Sequence, residues 1–121
     1  MGAGRRRFSL HVRLTREEEF QRVFDRPLRF SHGGLTTLAR RNDFGYARLG
    51  LAISRKSAGT SVTRNRIKRL VRESFRHHQH RLGAVDVVVL GRSGVAQMCN
   101  DAVRNTLEQH WTALIERCKD C

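Results

Sequence analysis

Several things are scarce in this chain, and each scarcity excludes something. No apolar run approaches the length of a membrane span, and no signal-type hydrophobic region is present. Cysteine occurs only at Cys99, Cys118 and Cys121. These three do not make a disulfide framework, so a reducing cytoplasm is the expected location. Cys118-x-x-Cys121 lacks a second pair and supplies half a metal site at most. Acidic residues number 11 and are scattered. No paired carboxylates and no Ser/His/Asp arrangement emerge from them, which argues against a nuclease site carried by the protein. His77-His78-x-His80 looks metal-like, but its directions diverge around a helix and no Cys or carboxylate partner is obvious. Internal repeats and low-complexity linkers are also lacking.

What is abundant is positive charge of one kind. The 121 residues carry a net charge of +13 from 24 basic residues, all arginine except Lys56, Lys68 and Lys119. Self-repulsion of that size opposes compaction and is most simply explained by a polyanionic partner. Arginine presents a planar fork that binds phosphate bidentately and stacks on bases. A GC-rich genome would produce the same bias, so the bias supports phosphate binding only weakly. Residues 1–14 contain Arg5, Arg6, Arg7 and Arg13 and no acid, and read as a flexible basic arm touching nucleic acid. The apolar content of 39% suits one modest core, so residues 15–118 are expected to form a single domain.

Along the chain, Thr15-Arg16-Glu17-Glu18 reads as a capping box, and the helix it opens puts Phe20, Val23 and Phe24 on one face. Pro27 stops that helix near Asp25-Arg26. Gly33-Gly34 breaks the chain, and Leu35–Arg40 reads as the first strand. After a turn at Arg41–Gly45, Leu49, Leu51 and Ile53 alternate with Arg48, Gly50, Ala52 and Ser54. This predicts a hairpin with one face on the core and a second face roomy enough for a ligand. Thr63 is the expected N-cap of a long helix to about Arg81, and Val85–Leu90 a strand buried on both faces. A last helix from near Asn100 places Val103, Leu107, Trp111, Leu114 and Cys118 on one core stripe. The order is α-β-β-α-β-α, with room for one further short strand after the second, in an α+β sandwich.

The long helix concentrates the charge. At 100° per residue, Ile67, Leu70, Val71, Ser74, Phe75 and His78 share the face that must be buried. Asn65, Arg69, Arg72 and Arg76 line the opposite side, flanked by Lys68. Glu73 is the only acid between Asp43 and Asp86, so i,i+4 neutralisation is nearly absent and a phosphate partner would relieve the repulsion. The helix start, with its amide N–H groups and positive dipole end, can hold a phosphate among Arg64, Arg66, Arg55 and Lys56. Asn65 can read a base edge or fix a neighbouring arginine.

The runs Ala52-Ile53-Ser54-Arg55-Lys56 and Val62–Arg76, the latter containing Arg64-Asn65-Arg66-Ile67-Lys68-Arg69, closely resemble the protein component of bacterial ribonuclease P. The likeness extends to Phe20–Phe24, Arg48–Leu51 and Asp86–Val89, covering about Arg13 to Ile115. It implies a small α+β domain with a left-handed βαβ crossover, against the general right-handed rule. It further implies a catalytic RNA subunit that uses Mg²⁺ to remove the 5′ leader of precursor tRNA. The protein, one per RNA subunit, would dock on that RNA and hold the leader in a cleft between a helix and the sheet. The resemblance assigns RNA contacts to Arg64, Asn65, Arg66, Lys68, Arg69 and Arg72, with Arg76 continuing the ridge. It places Phe20, Phe24, Arg48, Arg55 and Lys56 beside the leader cleft, where rings stack bases and cations track phosphates. Two phenylalanines on an amphipathic helix are also ordinary core, and both readings stay open. Many members of that family carry an aromatic residue on the first strand; Leu35-Thr36-Thr37-Leu38 has none.

Two other classes compete: a ribosomal or other structural RNA-binding protein, and a DNA-binding regulator reading a major groove. The last predicts a dimer interface, for which the sequence offers no second suitable amphipathic helix.

Overall fold

A computed structural model of the chain describes residues 13–14, 16–25, 27–54, 56 and 59–119. The first helix, α1 (Glu17–Phe24), starts one register later than its expected capping box. The Glu19 carboxylate accepts the Arg16 backbone N–H at 3.0 Å, and Thr15 lies outside the described residues. Glu17, Glu18 and Glu19 all sit in the first turn, where the positive end of the helix dipole favours them.

The predicted hairpin is corrected. β1 (Leu28–His32) and β2 (Leu35–Arg41) are the antiparallel pair, joined at Gly33-Gly34, with Gly33 at φ 63°. Leu28, Phe30 and His32 alternate with polar residues, and a two-residue Gly-Gly loop is a hairpin connection rather than a simple break. β3 (Arg48–Ala52) does not fold back on β2. It runs parallel to β4 (Val85–Gly91), and β4 lies between β2 and β3 in the order β1-β2-β4-β3. A short turn cannot join parallel neighbours, so α2 (Ser61–Leu82) makes the crossover. The central place of β4 follows from its valines: Val85, Val87, Val88 and Val89 are all buried, on both faces of the sheet. The further strand is β1, which precedes the Leu35–Arg41 strand instead of following the second one. A short 3₁₀ turn (Val95–Gln97) and α3 (Asn100–Lys119) complete the α+β fold.

Each face of the sheet has its own core. Leu35, Ala39, Leu49, Ile53, Val87 and Val89 pack under α2 and α3, where Ile67, Leu70, Val71 and Phe75 meet Val103, Leu107, Trp111 and Leu114. Ser74 belongs on the buried face because its hydroxyl accepts the Trp111 indole N–H at 2.7 Å. On the other face Leu38 and Val88 pack with Val23, Leu14 and the half-buried Phe20. Leu14 is therefore core: it is buried and donates its amide N–H to the Leu49 carbonyl at 2.9 Å, while Arg13 bridges to Leu49 at the β3 edge. The two last residues of the expected arm thus belong to the domain; residues 1–12 lie outside those described. Among the described residues no helix is long and apolar enough to cross a membrane.

Candidate nucleic-acid interface

The wheel drawn from sequence matches the burial along α2. Ile67, Leu70, Val71, Ser74, Phe75 and His78 are buried, whereas Asn65 and Arg69 are exposed and Arg64, Lys68, Arg72 and Arg76 half-buried. At 1.5 Å per residue the ridge from Asn65 to Arg76 extends about 17 Å. Burial lowers the Arg72 pKa, and the nearby charge of Arg13 lowers it further. The ridge and the start of the domain thus share one positive field.

The helix start requires a correction. Thr60, not Thr63, is the N-cap: its hydroxyl accepts the Thr63 N–H at 3.1 Å, and its carbonyl accepts the Arg64 N–H at 2.9 Å. Arg64-Asn65-Arg66 therefore begins in the fourth helical position, and the first-turn amides beyond both ladder and cap belong to Ser61 and Val62. Hydroxyls stand at Thr60, Ser61 and Thr63, and helical periodicity alone does not distinguish Thr63 from the true cap. Within the motif the three side chains also part. Asn65 faces solvent, while Arg66 turns to the 96–100 segment, donating to the Met98 carbonyl at 3.2 Å and Asn100 Oδ1 at 2.7 Å.

On the opposite sheet face α1 is pinned at both ends. Near its C-terminus Arg40 Nη1 donates to the Arg22 carbonyl at 2.9 Å and the Asp25 carbonyl at 3.0 Å, meeting helix-end acceptors with a cation. Near its N-terminus Glu19 accepts from Arg48 Nη1 at 3.0 Å. Arg48 is not the open cleft cation expected from sequence. It is buried, bonded through Nε and Nη2 to the two Asp86 oxygens, with the Phe44 ring 4.0 Å from its guanidinium carbon. Arginine at that strand position looked like a ligand-facing cation because its partner Asp86 lies 38 residues away.

The room left by Gly50 is likewise filled from within. A Cβ on Gly50 would stand 2.8 Å from Phe20 Cε1 and Cζ, so the glycine exists to seat that ring. Phe20 is half-buried in the smaller core, and Phe24 at the helix end is 41% exposed. Beyond the row that α1 covers, register places Ser31 beside Thr36, and Leu90 between Thr36 and Ala52. This strip combines the exposed Ser31 and the buried Thr36, their hydroxyls 3.0 Å apart, with the half-buried Leu90 and Ala52; it is not legible in the sequence reading, which lacks β1. The aromatic residue on the first strand is Phe30, but it lies on the opposite face, against the main core and near Arg117. Lys56 is exposed; Arg55 lies outside the described residues. His78 is tied to the Ser74 carbonyl at 2.8 Å and to Glu108 at 3.1 Å. Among the described residues no group of three or more His, Cys, Asp or Glu could hold a metal ion.

An arginine ridge, exposed at Arg69 and half-buried at Arg72 and Arg76, and a pinned helix with one open phenylalanine form two faces suited to a polyanion. Residues 8–115 match the family described as Ribonuclease P. The chain belongs to that family. Among the ribonuclease P protein components it resembles, that of Thioalkalivibrio sulfidiphilus is 49% identical over 92% of both chains. That of Methylococcus capsulatus is 47% identical over 88% of this chain and 83% of the relative. Among solved structures, the RNase P protein of Staphylococcus aureus superposes with a TM-score of 0.76 at 29% identity, covering 81% of this chain and 90% of that one. The RNase P protein of Thermotoga maritima gives 0.72 at 29% identity, covering 82% and 94%.

Proposed function

We propose that this chain, a ribonuclease P protein component, acts by docking its α2 ridge on the catalytic RNA while the α1 side of the sheet holds the 5′ leader of precursor tRNA. Phosphodiester hydrolysis belongs to the RNA subunit and its Mg²⁺. The protein supplies cations and a stacking surface, and one copy serves each RNA in the cytoplasm. The observation that carries this reading is the polarity of α2. One side is wholly committed to the core, and the other presents Asn65, Arg69, Arg72 and Arg76 with almost no neutralising acid. Docking falls to Arg64, Asn65, Lys68, Arg69, Arg72 and Arg76. The leader lies beside Phe24, Phe20, Lys56 and Arg55, where a ring stacks a base and cations follow the backbone. Arg48 keeps a supporting part only, holding α1 on the sheet through Glu19.

Adding this protein to its cognate RNA subunit is the deciding experiment. It should restore leader cleavage at Mg²⁺ concentrations where the RNA alone is slow. Unchanged cleavage, or co-sedimentation with ribosomes in place of assembly, would overturn the reading.

A further inference from the structure

Arg66 sits in the basic motif yet behaves unlike its neighbours. Its guanidinium reaches across 30 residues and more: Nη1 donates to the Met98 carbonyl at 3.2 Å and to Asn100 Oδ1 at 2.7 Å, and Nη2 to the Ala96 carbonyl at 3.5 Å. Two of these acceptors are carbonyls at the end of the 3₁₀ turn, where the helical ladder runs out and acceptors need a donor. That turn is itself immobilised. Val95 is fully buried, and its Cα would stand 2.7 Å from a Cβ placed on Gly34 in the β1–β2 turn. Arg66 thus links the start of α2 to a segment packed against the β1–β2 turn.

The start of α2 needs such a link. Ser61 and Val62 are exposed, with Val62 at 80%, and the buried apolar positions begin only at Ile67. The first turn holds no acid, and Arg64, Arg66 and Lys68 crowd the positive end of the dipole. Left to itself this end frays, and ordering it on binding would weaken affinity.

We infer that Arg66 is a positioning residue: it clamps the start of α2 to the 96–100 segment and holds Asn65 and Arg69 ready for RNA, without touching phosphate itself. The inference rests on the reading of α2 as the RNA-docking helix. Both Nη1 protons are taken, by the Met98 carbonyl and Asn100 Oδ1, so a phosphate binding at that nitrogen would have to displace a 2.7 Å charge-assisted bond.

Salt dependence separates a clamp from a contact, because each phosphate-bound cation contributes about 0.7–0.9 to the slope of log affinity against log salt. The full chain and its cognate catalytic RNA are compared for Arg66→Ala, Arg66→Lys, Asn100→Ala and the Arg66→Ala/Asn100→Ala double variant, with Arg69→Ala as reference. Thermal unfolding is followed in parallel, and binding is measured well below each melting point. Arg69→Ala should flatten the slope by one contact. Arg66→Ala and Asn100→Ala should each weaken binding about threefold to tenfold, the ordering cost of one or two side chains, at unchanged slope. Their melting points should fall, and the double variant should bind no worse than Arg66→Ala. Arg66→Lys keeps the charge but not the fork, and should behave like Arg66→Ala. A flattened slope for Arg66→Ala, with Asn100→Ala and Arg66→Lys both binding as the wild type does, would overturn the clamp. An unchanged slope for Arg69→Ala would overturn the docking reading of the ridge itself, a separate result.

Discussion

Arg48 and Asp86 stand opposite each other on the parallel β3–β4 ladder and are joined by two 2.8 Å hydrogen bonds, Nε to Oδ1 and Nη2 to Oδ2. Asn42 Nδ2 adds a 2.7 Å bond to Asp86 Oδ1, and the same amide group donates to the Tyr46 carbonyl at 3.1 Å. One buried carboxylate therefore sets the β2–β3 loop, the β3 register and, through Arg48 and Glu19, the seat of α1. The hydrogen bond to Asp86 raises the Arg48 pKa despite burial.

Arg48→Ala should accordingly cost about 3–5 kcal/mol, since it leaves Asp86 buried without its countercharge. Urea unfolding followed by circular dichroism measures this. A loss below about 1 kcal/mol would mean that Arg48 is a surface cation after all.

Gly50→Ala tests the seat of Phe20. A methyl group 2.8 Å from the ring must displace it, and overpacking of this kind costs about 1–3 kcal/mol. The melting point should fall, and leader affinity should fall with it; wild-type stability would show that the ring has room.

Phe24→Ala should separate leader binding from folding. With 41% of the residue exposed, its loss should hardly move the melting point, while removal of a stacking platform should weaken leader binding by about 1–3 kcal/mol. Assembly with the catalytic RNA should be unaffected. Equal losses toward leader-bearing and leaderless tRNA would contradict a leader contact.

Arg69→Ala/Arg72→Ala removes the middle of the ridge. If about six cations meet phosphates, log affinity for single-stranded RNA falls with log salt at a slope near −4; toward the catalytic RNA, on which the ridge docks, the double variant should weaken assembly and flatten the slope by about 1.4–1.8. Circular dichroism should remain that of the wild type. A slope near zero in the parent protein would contradict a phosphate-dominated interface.

His110 gives the fold a pH dependence. It is buried, with Nδ1 2.6 Å from the Thr37 hydroxyl. Burial lowers its pKa; a hydrogen bond from the imidazole to the His32 backbone opposes the shift, and the neighbouring His32 charge adds to it. Because the folded pKa is depressed, the unfolded chain binds the proton first as pH falls. The contribution of neutral His110 is fully present above about pH 6.5, the unfolded value, and is lost as pH falls toward the folded pKa. Denaturation midpoints between pH 7.5 and 5 should therefore fall more steeply in the wild type than in His110→Gln. Parallel curves would rule out His110 as the titrating group.

The two faces of α2 were readable in the sequence because a helix buries residues by local period alone. Ile67, Leu70, Val71 and Phe75 needed no knowledge of what they pack against. The double burial of β4 and the core stripe Val103-Leu107-Trp111-Leu114 were legible for the same reason. Family membership was legible too, carried by the string Arg64-Asn65-Arg66-Ile67-Lys68-Arg69 and the segments around it. Strand partners were not, because alternation says which face a residue takes and nothing about its neighbour. Hence β3 was paired with β2, although β4, arriving more than thirty residues later, separates them. The roles of individual arginines depend on such distant partners. From the sequence alone Arg48, Arg66 and Arg69 all read as cations that meet RNA. Only the tertiary structure distinguishes them, by burying Asp86 beside the first, setting Asn100 and two carbonyls around the second, and leaving the third in water. The sequence by itself determined the amount and local placement of charge. Which charges remain available to RNA was decided by contacts that no local period encodes.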